Sequence, residues 1–288
     1  MDRLAAVILN YNDFETTERL LKSFETYSTI ARIVVVDNCS TDDSYEKLLK
    51  YNNKKIEVIK SEKNGGYGYG NNFGISYLNR VYRPTHILIC NPDVAIGETV
   101  IEKMLLVFHK RERVAVVAPF MINRDGKKEP GTAWRIPSKS EYVFSTGVIL
   151  NHLFAFNRYK GLENIENVTE MEVDCVAGSL LMVDNDAMLN YGTYDENIFL
   201  FGEETTLGCK FKSSGYKSIL LLQEGFLHLH GVSINKSINS EIRKHKLMLS
   251  SRLYILKHYL DANNIDMLFA RIFFAISTFE YRLILMLR

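Results

Sequence analysis

Polar side chains follow three apolar runs in the first hundred residues of the chain. Asn10 and Asn12 come after the first run, Asp37 and Asn38 after the second, and Asp93 after the third. In an open parallel α/β sheet these positions lie along one edge, outside the carboxyl ends of the strands, where ligands bind. There Asp93 can hold a divalent cation and a diphosphate, and Asp37 can accept a hydrogen bond from a nucleoside. Both are equally ordinary turn or helix-cap residues, so two interpretations stay open.

Two adjacent carboxylates, Glu203 and Glu204, follow Gly202 at the predicted start of a helix. Carboxylates are stabilised at a helix N-terminus by the helix dipole, so capping is one explanation. Neighbours on a helix point in different directions, so one of the pair can face a cleft while the other braces the loop. A carboxylate in a cleft can act as a general base on a hydroxyl.

His228 and His230 lie just after the predicted last strand. Residues two apart in an extended chain share a face, so both imidazoles can point the same way. A His can complete a metal shell that Asp93 begins, because imidazole is a common metal ligand. The alternative is a packed polar residue.

A glycine-rich segment, NGGYGYGNNFG at residues 64–74, opens a predicted helix. Glycine permits positive φ and close approach of the backbone to a ligand, and a helix N-terminus attracts phosphate. The glycine spacing and the position after the third strand differ from a dinucleotide-binding fingerprint. The segment therefore indicates a ligand loop of another kind, with a flexible surface loop as the alternative.

The elements that must position these residues alternate between strand and helix over the first part of the chain. This alternation predicts an α/β fold with a mostly parallel sheet. Strands are predicted at 4–9, 33–36, 56–59, 86–90 and 114–118, and helices at 14–27, around Leu48, up to Arg80 and at 98–109.

The second half is less regular. Residues 119–170 break the alternation, with a hairpin turn predicted at 123–126. A helix at 202–215, a strand at 216–222, a loop at 228–233 and two C-terminal helices follow. Without an internal repeat or a low-complexity linker, we predict one domain over residues 1–239 with a helical extension over residues 240–288.

Composition limits the class of protein. The 288 residues are 47% hydrophobic and 24% charged, as in folded soluble proteins, and the net charge of +1 gives no bulk attraction to nucleic acid. The four cysteines lack CxxC spacing, which argues against a zinc site and suits a reducing compartment. The apolar N-terminal run is too short for a signal peptide, and no run approaches the ~20 apolar residues of a membrane span. We therefore predict a cytoplasmic protein.

Charge is uneven along the chain. Residues 240–288 contain eight Lys/Arg and four Asp/Glu, a net charge of +4, whereas residues 1–239 contain 27 and 30, a net charge of −3. A basic, apolar tail can form a packed helical pair or a homodimer contact. It can also lie against anionic lipid at the inner face of the cell membrane. Both interpretations stay open.

Taken together, seven stretches resemble the family 2 inverting glycosyltransferases of the GT-A fold, especially their bacterial rhamnosyltransferase-like branch. The resemblance covers residues 3–235, and the order and spacing of the stretches carry it. They are VILNYND (7–13), IVVVDNCSTD (33–42), NGGYGYGNNFGI (64–75), HILICNPDV (86–94), VAGSLLMV (176–183), FGEETTLGCK (201–210) and HLHGVS (228–233).

The resemblance implies a role for each matching residue. Glu204 matches the catalytic base, with Glu203 as its neighbour in the acidic pair. Asp93 matches the last carboxylate of the metal-binding DXD motif, His228 a metal ligand, and His230 a substitute for it. Asn91 replaces the first DXD carboxylate, while Thr206 and Lys210 replace an Asp and an Arg near the acceptor. Nucleoside contacts are implied for Asn10, Asn12, Asp37 and Asn38, and donor-pocket positions for Asn64, Gly65, Gly66 and Asn71.

The activity implied by the resemblance is inverting transfer of a sugar from a nucleotide-sugar donor to a saccharide acceptor, with Mg²⁺ or Mn²⁺ as cofactor. The branch implies L-rhamnose from dTDP-L-rhamnose, used in bacterial surface polysaccharide, and an acceptor that can be lipid-linked. A UDP-hexose donor is one alternative. A noncatalytic nucleotide-sugar-binding partner is another, because Asn91 leaves the metal motif short of a carboxylate.

Overall fold

The computed structural model describes residues 2–154, 158–229 and 240–287. The helices are α1 Phe14–Glu25, α2 Ser44–Leu48, α3 Tyr67–Val81, α4 Glu98–Lys110, α5 Lys139–Phe144, α6 Val148–Phe154, α7 Asn185–Ala187, α8 Glu203–Ser213, α9 Glu241–His258 and α10 Asn264–Met286. The strands are β1 Leu4–Asn10, β2 Arg32–Asp37, β3 Ile56–Lys60, β4 His86–Cys90, β5 Val94–Ala95, β6 Val114–Ile122, β7 Ala133–Trp134, β8 Glu170–Val173, β9 Cys175–Val176, β10 Leu180–Asp184 and β11 Lys217–His228.

One large sheet organises the described chain. Its strands follow the order β3-β2-β1-β4-β10-β6-β11-β5, with β8 added beside β11, and β7 pairs with β9 separately. Strands β1, β2, β3, β4, β6 and β11 point the same way, whereas β10, β5 and β8 run antiparallel to their neighbours. The predicted α/β architecture with a mostly parallel sheet is confirmed.

The central strands are apolar throughout because helices cover both faces of the sheet. In β1, Leu4, Ala6 and Ile8 pack into one hydrophobic cluster with α1 and α4. Ala5 and Val7 point the opposite way, into a second cluster with α3 and α8. Successive side chains of a strand point to opposite faces of the sheet. In β1 both faces are buried, so both sets of side chains are apolar.

The strand register brings the polar strand ends together, as predicted. Asn10 lies opposite Asp37 across β1 and β2. The peptide N–H of Asn91, just after β4, donates to the carbonyl of Ser179 at 2.8 Å. The predicted loop at 228–233 is wrong at its first residue, because β11 continues through His228. Strand β5 pairs with this last part of β11, and Val94 lies opposite His228.

The C-terminal segment forms the two predicted helices. Helices α9 and α10 pack with α5 around a third hydrophobic cluster that includes Ile255, Leu256 and Phe274. The division of the chain at residue 239 stays a prediction. No helix in the described ranges is long and apolar enough to span a membrane. Helix α10 nevertheless exposes a row of apolar side chains at helical spacing: Ile265, Leu268, Ile272, Ile276, Phe279, Leu283 and Met286.

Candidate functional site

A cavity of about 490 Å³ lies where the ends of β4, β10 and β11 meet the start of α8 and one side of α9. Four of the residues singled out in the sequence line it, namely Asn91, Glu203, Glu204 and His228. The cavity thus joins the acidic pair to the strand end that carries Asp93. These groups are 110 or more residues apart in sequence, and only the sheet brings them together.

Glu204 is held at the cavity wall by the backbone of Gly178. The Gly178 N–H donates to Glu204 Oε1 at 3.2 Å, and the Gly178 carbonyl accepts a hydrogen bond of 2.6 Å from the Tyr67 hydroxyl. A Cβ added to Gly178 would lie 2.7 Å from Glu204 Oε1, so a side chain at residue 178 would displace the carboxylate. The glycine-rich helix α3 is therefore linked to Glu204 through the backbone of a single residue, Gly178.

The two carboxyl groups differ in environment. Glu203 is only 3% exposed, and its Oε1 has no hydrogen-bond partner within the described residues. Burial and the nearby Glu204 charge raise the pKa of Glu203 from 4.5 to about 8. Burial also raises the pKa of Glu204, but the Gly178 N–H opposes this shift by favouring the anion. We infer that Glu203 keeps a proton at neutral pH and that Glu204 is the carboxylate.

The raised pKa of Glu203 predicts a loss of stability as the pH increases. The folded chain keeps a proton that the unfolded chain releases near pH 4.5, so raising the pH toward 8 favours unfolding. We expect Glu203→Gln to raise the melting temperature at pH 8 and to change it little at pH 5. Thermal melts of both chains over this range test the expectation, and an equal shift at both pH values would contradict it.

Asp93 and His228 form the part of the site that suits a divalent cation. His228 Nε2 lies 3.3 Å from Asp93 Oδ1, and both side chains are largely buried. Asp93 Oδ1 makes no hydrogen bond to any described residue. One carboxylate with few other protein ligands suits Mg²⁺ or Mn²⁺ that is also held by phosphate oxygens. His230 lies outside the described residues, among which no group of three or more His, Cys, Asp or Glu could hold a metal ion.

The predicted nucleoside residues brace one another. Asn10 Nδ2 donates to Asp37 Oδ2 at 2.9 Å, and the Ser40 N–H donates to Asp37 Oδ1 at 2.9 Å. Asn12 accepts a 2.8 Å hydrogen bond from the Thr41 N–H. Asn10 and Asp37 are fully buried, so their first role is to fix the turns after β1 and β2. Their contact with a nucleoside stays a prediction.

The glycine-rich segment is tied to the same edge. Asn38 Nδ2 donates to Asn64 Oδ1 and to the Gly66 carbonyl, each at 3.1 Å. Gly66 has φ +94°, and an added Cβ would lie 2.0 Å from the Phe199 carbonyl. Asn71 is fully buried inside α3, where its Nδ2 donates to the Tyr67 carbonyl. Donor contacts of Asn64, Gly65, Gly66 and Asn71 stay predictions.

The later glycines of this segment serve packing. An added Cβ at Gly70 would lie 2.3 Å from Leu9, and at Gly74 it would lie 2.8 Å from Val7 and Val36. These glycines let α3 lie close to β1 and β2. Close packing of α3 on the sheet explains Gly70 and Gly74, so these two glycines need no role in ligand binding.

Two residues that line the cavity belong to none of the predicted site motifs. Trp134, in β7, donates from its ring nitrogen to Thr205 Oγ1 at 3.2 Å. Arg252, in α9, reaches the cavity from the C-terminal extension. An isolated polar or aromatic residue outside a motif gives no sequence signal of a site, so only packing identifies these two.

Known proteins resemble the chain in sequence. A profile of the family described as glycosyl transferase family 2 matches residues 5–175. The low-salt glycan biosynthesis hexosyltransferase Agl10 of Haloferax volcanii is 26% identical over 204 residues, 71% of this chain and 60% of that protein. The chain thus spans less than two thirds of this relative. The N-acetylglucosaminyl-diphospho-decaprenol L-rhamnosyltransferase of Mycobacterium tuberculosis is 24% identical over 257 residues, 85% of this chain and 81% of that protein.

Solved structures resemble the chain in fold. The crystal structure of GalNAc-T7 with UDP, GalNAc and Mn²⁺ superposes with a TM-score of 0.60 at 15% identity. The match covers 81% of this chain and 44% of that chain. At this identity the likeness concerns the fold alone, and it confirms the predicted GT-A architecture.

Proposed function

The chain belongs to glycosyl transferase family 2, and we propose that it is an inverting, metal-dependent transferase that adds L-rhamnose from dTDP-L-rhamnose to a saccharide acceptor. The observation that carries this proposal is the cavity that both carboxyl groups of the acidic pair line, next to the strand end that carries Asp93. The mycobacterial relative, named as an L-rhamnosyltransferase, supports the choice of sugar.

The chemistry follows from the roles of these side chains. Glu204 takes the proton of the acceptor hydroxyl, whose oxygen attacks the anomeric carbon of the donor. The bond from this carbon to the nucleoside diphosphate breaks on the opposite face, so one displacement inverts the configuration. Asp93 and His228 would hold the divalent ion, which when bound neutralises charge on the leaving diphosphate. Gly178 and Tyr67 keep the base in position, and positioning is a large part of the rate.

A donor panel tests the proposal. We expect dTDP-L-rhamnose to raise the melting temperature of the chain more than UDP-hexoses do, because a bound donor stabilises the folded state by mass action. Hydrolysis or transfer of the sugar should then require Mg²⁺ or Mn²⁺. A larger shift with a UDP-hexose would reassign the donor. Donor binding without metal-stimulated turnover would instead indicate a noncatalytic nucleotide-sugar-binding protein.

We further propose that the exposed apolar face of α10 lies against an anionic membrane surface. Ile272 and Phe279 are 56% and 64% exposed on this face. Arg271 and Arg282 on the same helix supply positive charge near it, and the extension carries a net charge of +4 over residues 240–288. An amphipathic helix with basic residues binds such surfaces through apolar burial and charge attraction. The lipid-linked substrate in the name of the mycobacterial relative supports this choice over a second copy.

Vesicle flotation tests this proposal with the full chain. We expect the wild-type chain to float with vesicles that contain anionic lipid, and the double variant Ile272→Glu, Phe279→Glu to stay in the soluble fraction. Equal flotation of both chains would contradict the proposal. Light scattering measures the mass of the particle in solution. If the double variant has half the particle mass of the wild-type protein, the face is instead a dimer contact.

A further inference from the structure

Arg252 is a cation in the wall of the active-site cavity that lacks an acidic partner among the described residues. The side chain is partly buried in α9 and lines the same cavity as Glu204. Within residues 2–154, 158–229 and 240–287, no carboxylate forms an ion pair with it. Burial lowers the pKa of Arg252, although a guanidinium remains charged. A partly desolvated cation without a counter-charge is costly unless an anion completes the site.

The protein holds Arg252 in a fixed orientation. Its Nη1 donates to the Tyr142 carbonyl at 2.5 Å and to Ser145 Oγ at 2.6 Å, and its guanidinium lies 4.6 Å from the centre of the Tyr142 ring. These contacts occupy one nitrogen, Nη1, and one face of the guanidinium. Nε and Nη2 donate to no described residue, so they remain for a ligand. A guanidinium held in this way can present two parallel N–H donors to the oxygens of one anion.

The position of Arg252 separates it from the metal end of the cavity. Ser145, to which it is bonded, also lines a second cavity of about 580 Å³. Asn151 and the exposed Arg158 line both cavities, whereas Asn91 and His228 line only the first. Arg252 itself lines only the first cavity, but its hydrogen bond to Ser145 places it next to the residues that border the second, as Arg158 also does. With the proposed donor diphosphate at the metal end, this side would be left for an acceptor.

From this geometry we propose that Arg252 binds a phosphate group of the acceptor, so that the acceptor is a sugar phosphate ester and not a neutral saccharide. The inference rests on the proposed transferase function, because it assigns the metal end to the donor. A phosphate suits the site since two of its oxygens can accept from the Nε and Nη2 donors of the Arg252 fork. Arg252 thus determines which acceptors bind, and Glu204 acts on the hydroxyl of the acceptor that Arg252 has placed.

Fluorescence titration tests the proposal, because Trp134 is the only tryptophan in the chain and lines this cavity. Glucose 1-phosphate, glucuronic acid and methyl glucoside are titrated into the full chain with its donor site filled by dTDP and Mg²⁺. We expect glucose 1-phosphate to bind at least ~10-fold more tightly than methyl glucoside, as for a hydrogen bond to a charged group. Arg252→Gln should abolish this preference. Lys257→Gln removes the same charge from an exposed position of α9 and should keep it.

Several outcomes would overturn the proposal. They are equal binding of phosphorylated and neutral sugar by the wild-type chain, an unchanged preference in Arg252→Gln, and a stronger preference for glucuronic acid. If Arg252→Gln does not fold, Arg252→Lys keeps a cation near Tyr142 but loses the fork, and it should weaken the preference. An Arg252→Lys chain with the full preference would also overturn it.

A separate thermal shift with dTDP and Mg²⁺ reports on the donor site alone. If dTDP causes no shift but an Arg252-dependent phosphate preference is measured without it, the proposed donor fails while this inference stands. If dTDP binds but the phosphate preference is absent, the proposed donor stands and the inference about Arg252 fails.

Discussion

Replacing Glu204 with Gln is expected to lower turnover at least ~100-fold, within the usual range for loss of a general base. The amide has nearly the same shape but cannot take a proton from the acceptor hydroxyl. Donor binding should persist, because Glu204 contacts Gly178 and not the strand end that carries Asp93. Steady-state turnover together with the thermal shift on donor binding measures the two effects separately.

Glu203→Gln is the matched control for this experiment. Glu203 already keeps a proton at neutral pH because its pKa is raised to about 8, so a neutral amide should preserve most of the turnover. Equal loss in both variants would contradict the assignment of Glu204 alone. Unchanged turnover in Glu204→Gln would move the base elsewhere.

The position of the Glu204 carboxylate can be tested without changing its charge. A Cβ at Gly178 would lie 2.7 Å from Glu204 Oε1, so Gly178→Ala should shift the base and lower turnover by about 10- to 100-fold, as small misplacements do. Gly131→Ala adds the same methyl group to the wall of the same cavity, where nothing lies within 4 Å of it. This second variant should behave like the wild-type chain.

Replacing Asp93 with Asn is expected to lower metal-stimulated turnover at least ~100-fold, because a Lewis acid contributes several kcal/mol to such a displacement. The decrease in turnover should be large in this chain, because Asn91 stands where the DXD motif has its first carboxylate. In the proposed metal site Asp93 would be the main anionic ligand, with His228 as its neutral neighbour. Turnover and nucleotide binding, each measured against Mg²⁺ and Mn²⁺ concentration, should lose their metal dependence together.

Asp125→Asn controls for the loss of one charge. Asp125 lies on the exposed hairpin after β6, and its replacement should leave the metal dependence unchanged. If Asp93→Asn retains the wild-type response to both metals, the metal site does not include Asp93. The proposed metal dependence would then need other ligands.

Much of the fold was predictable because it depends on local patterns. Apolar runs of strand length alternate with helical periodicity, and this alternation is enough to indicate a parallel sheet. The same runs end in Asn10, Asp37 and Asn91, which the register places along one edge. The extent of β6 and β11 was less predictable, because strand ends depend on whether a distant neighbour such as β5 supplies hydrogen bonds.

The sequence by itself determined the alternation of strands and helices in the first half, the polar edge of the sheet, the acidic pair and the family resemblance. Only the tertiary structure decided that burial raises the pKa of Glu203 and that Glu204 is the member bonded to Gly178. It alone brought Arg252 from the C-terminal extension into the cavity wall. The physical reason is that the spacing of apolar residues in the sequence reports only the local helix or strand. Burial and the charges around a side chain come from segments far away in sequence, and these set its pKa and its partners.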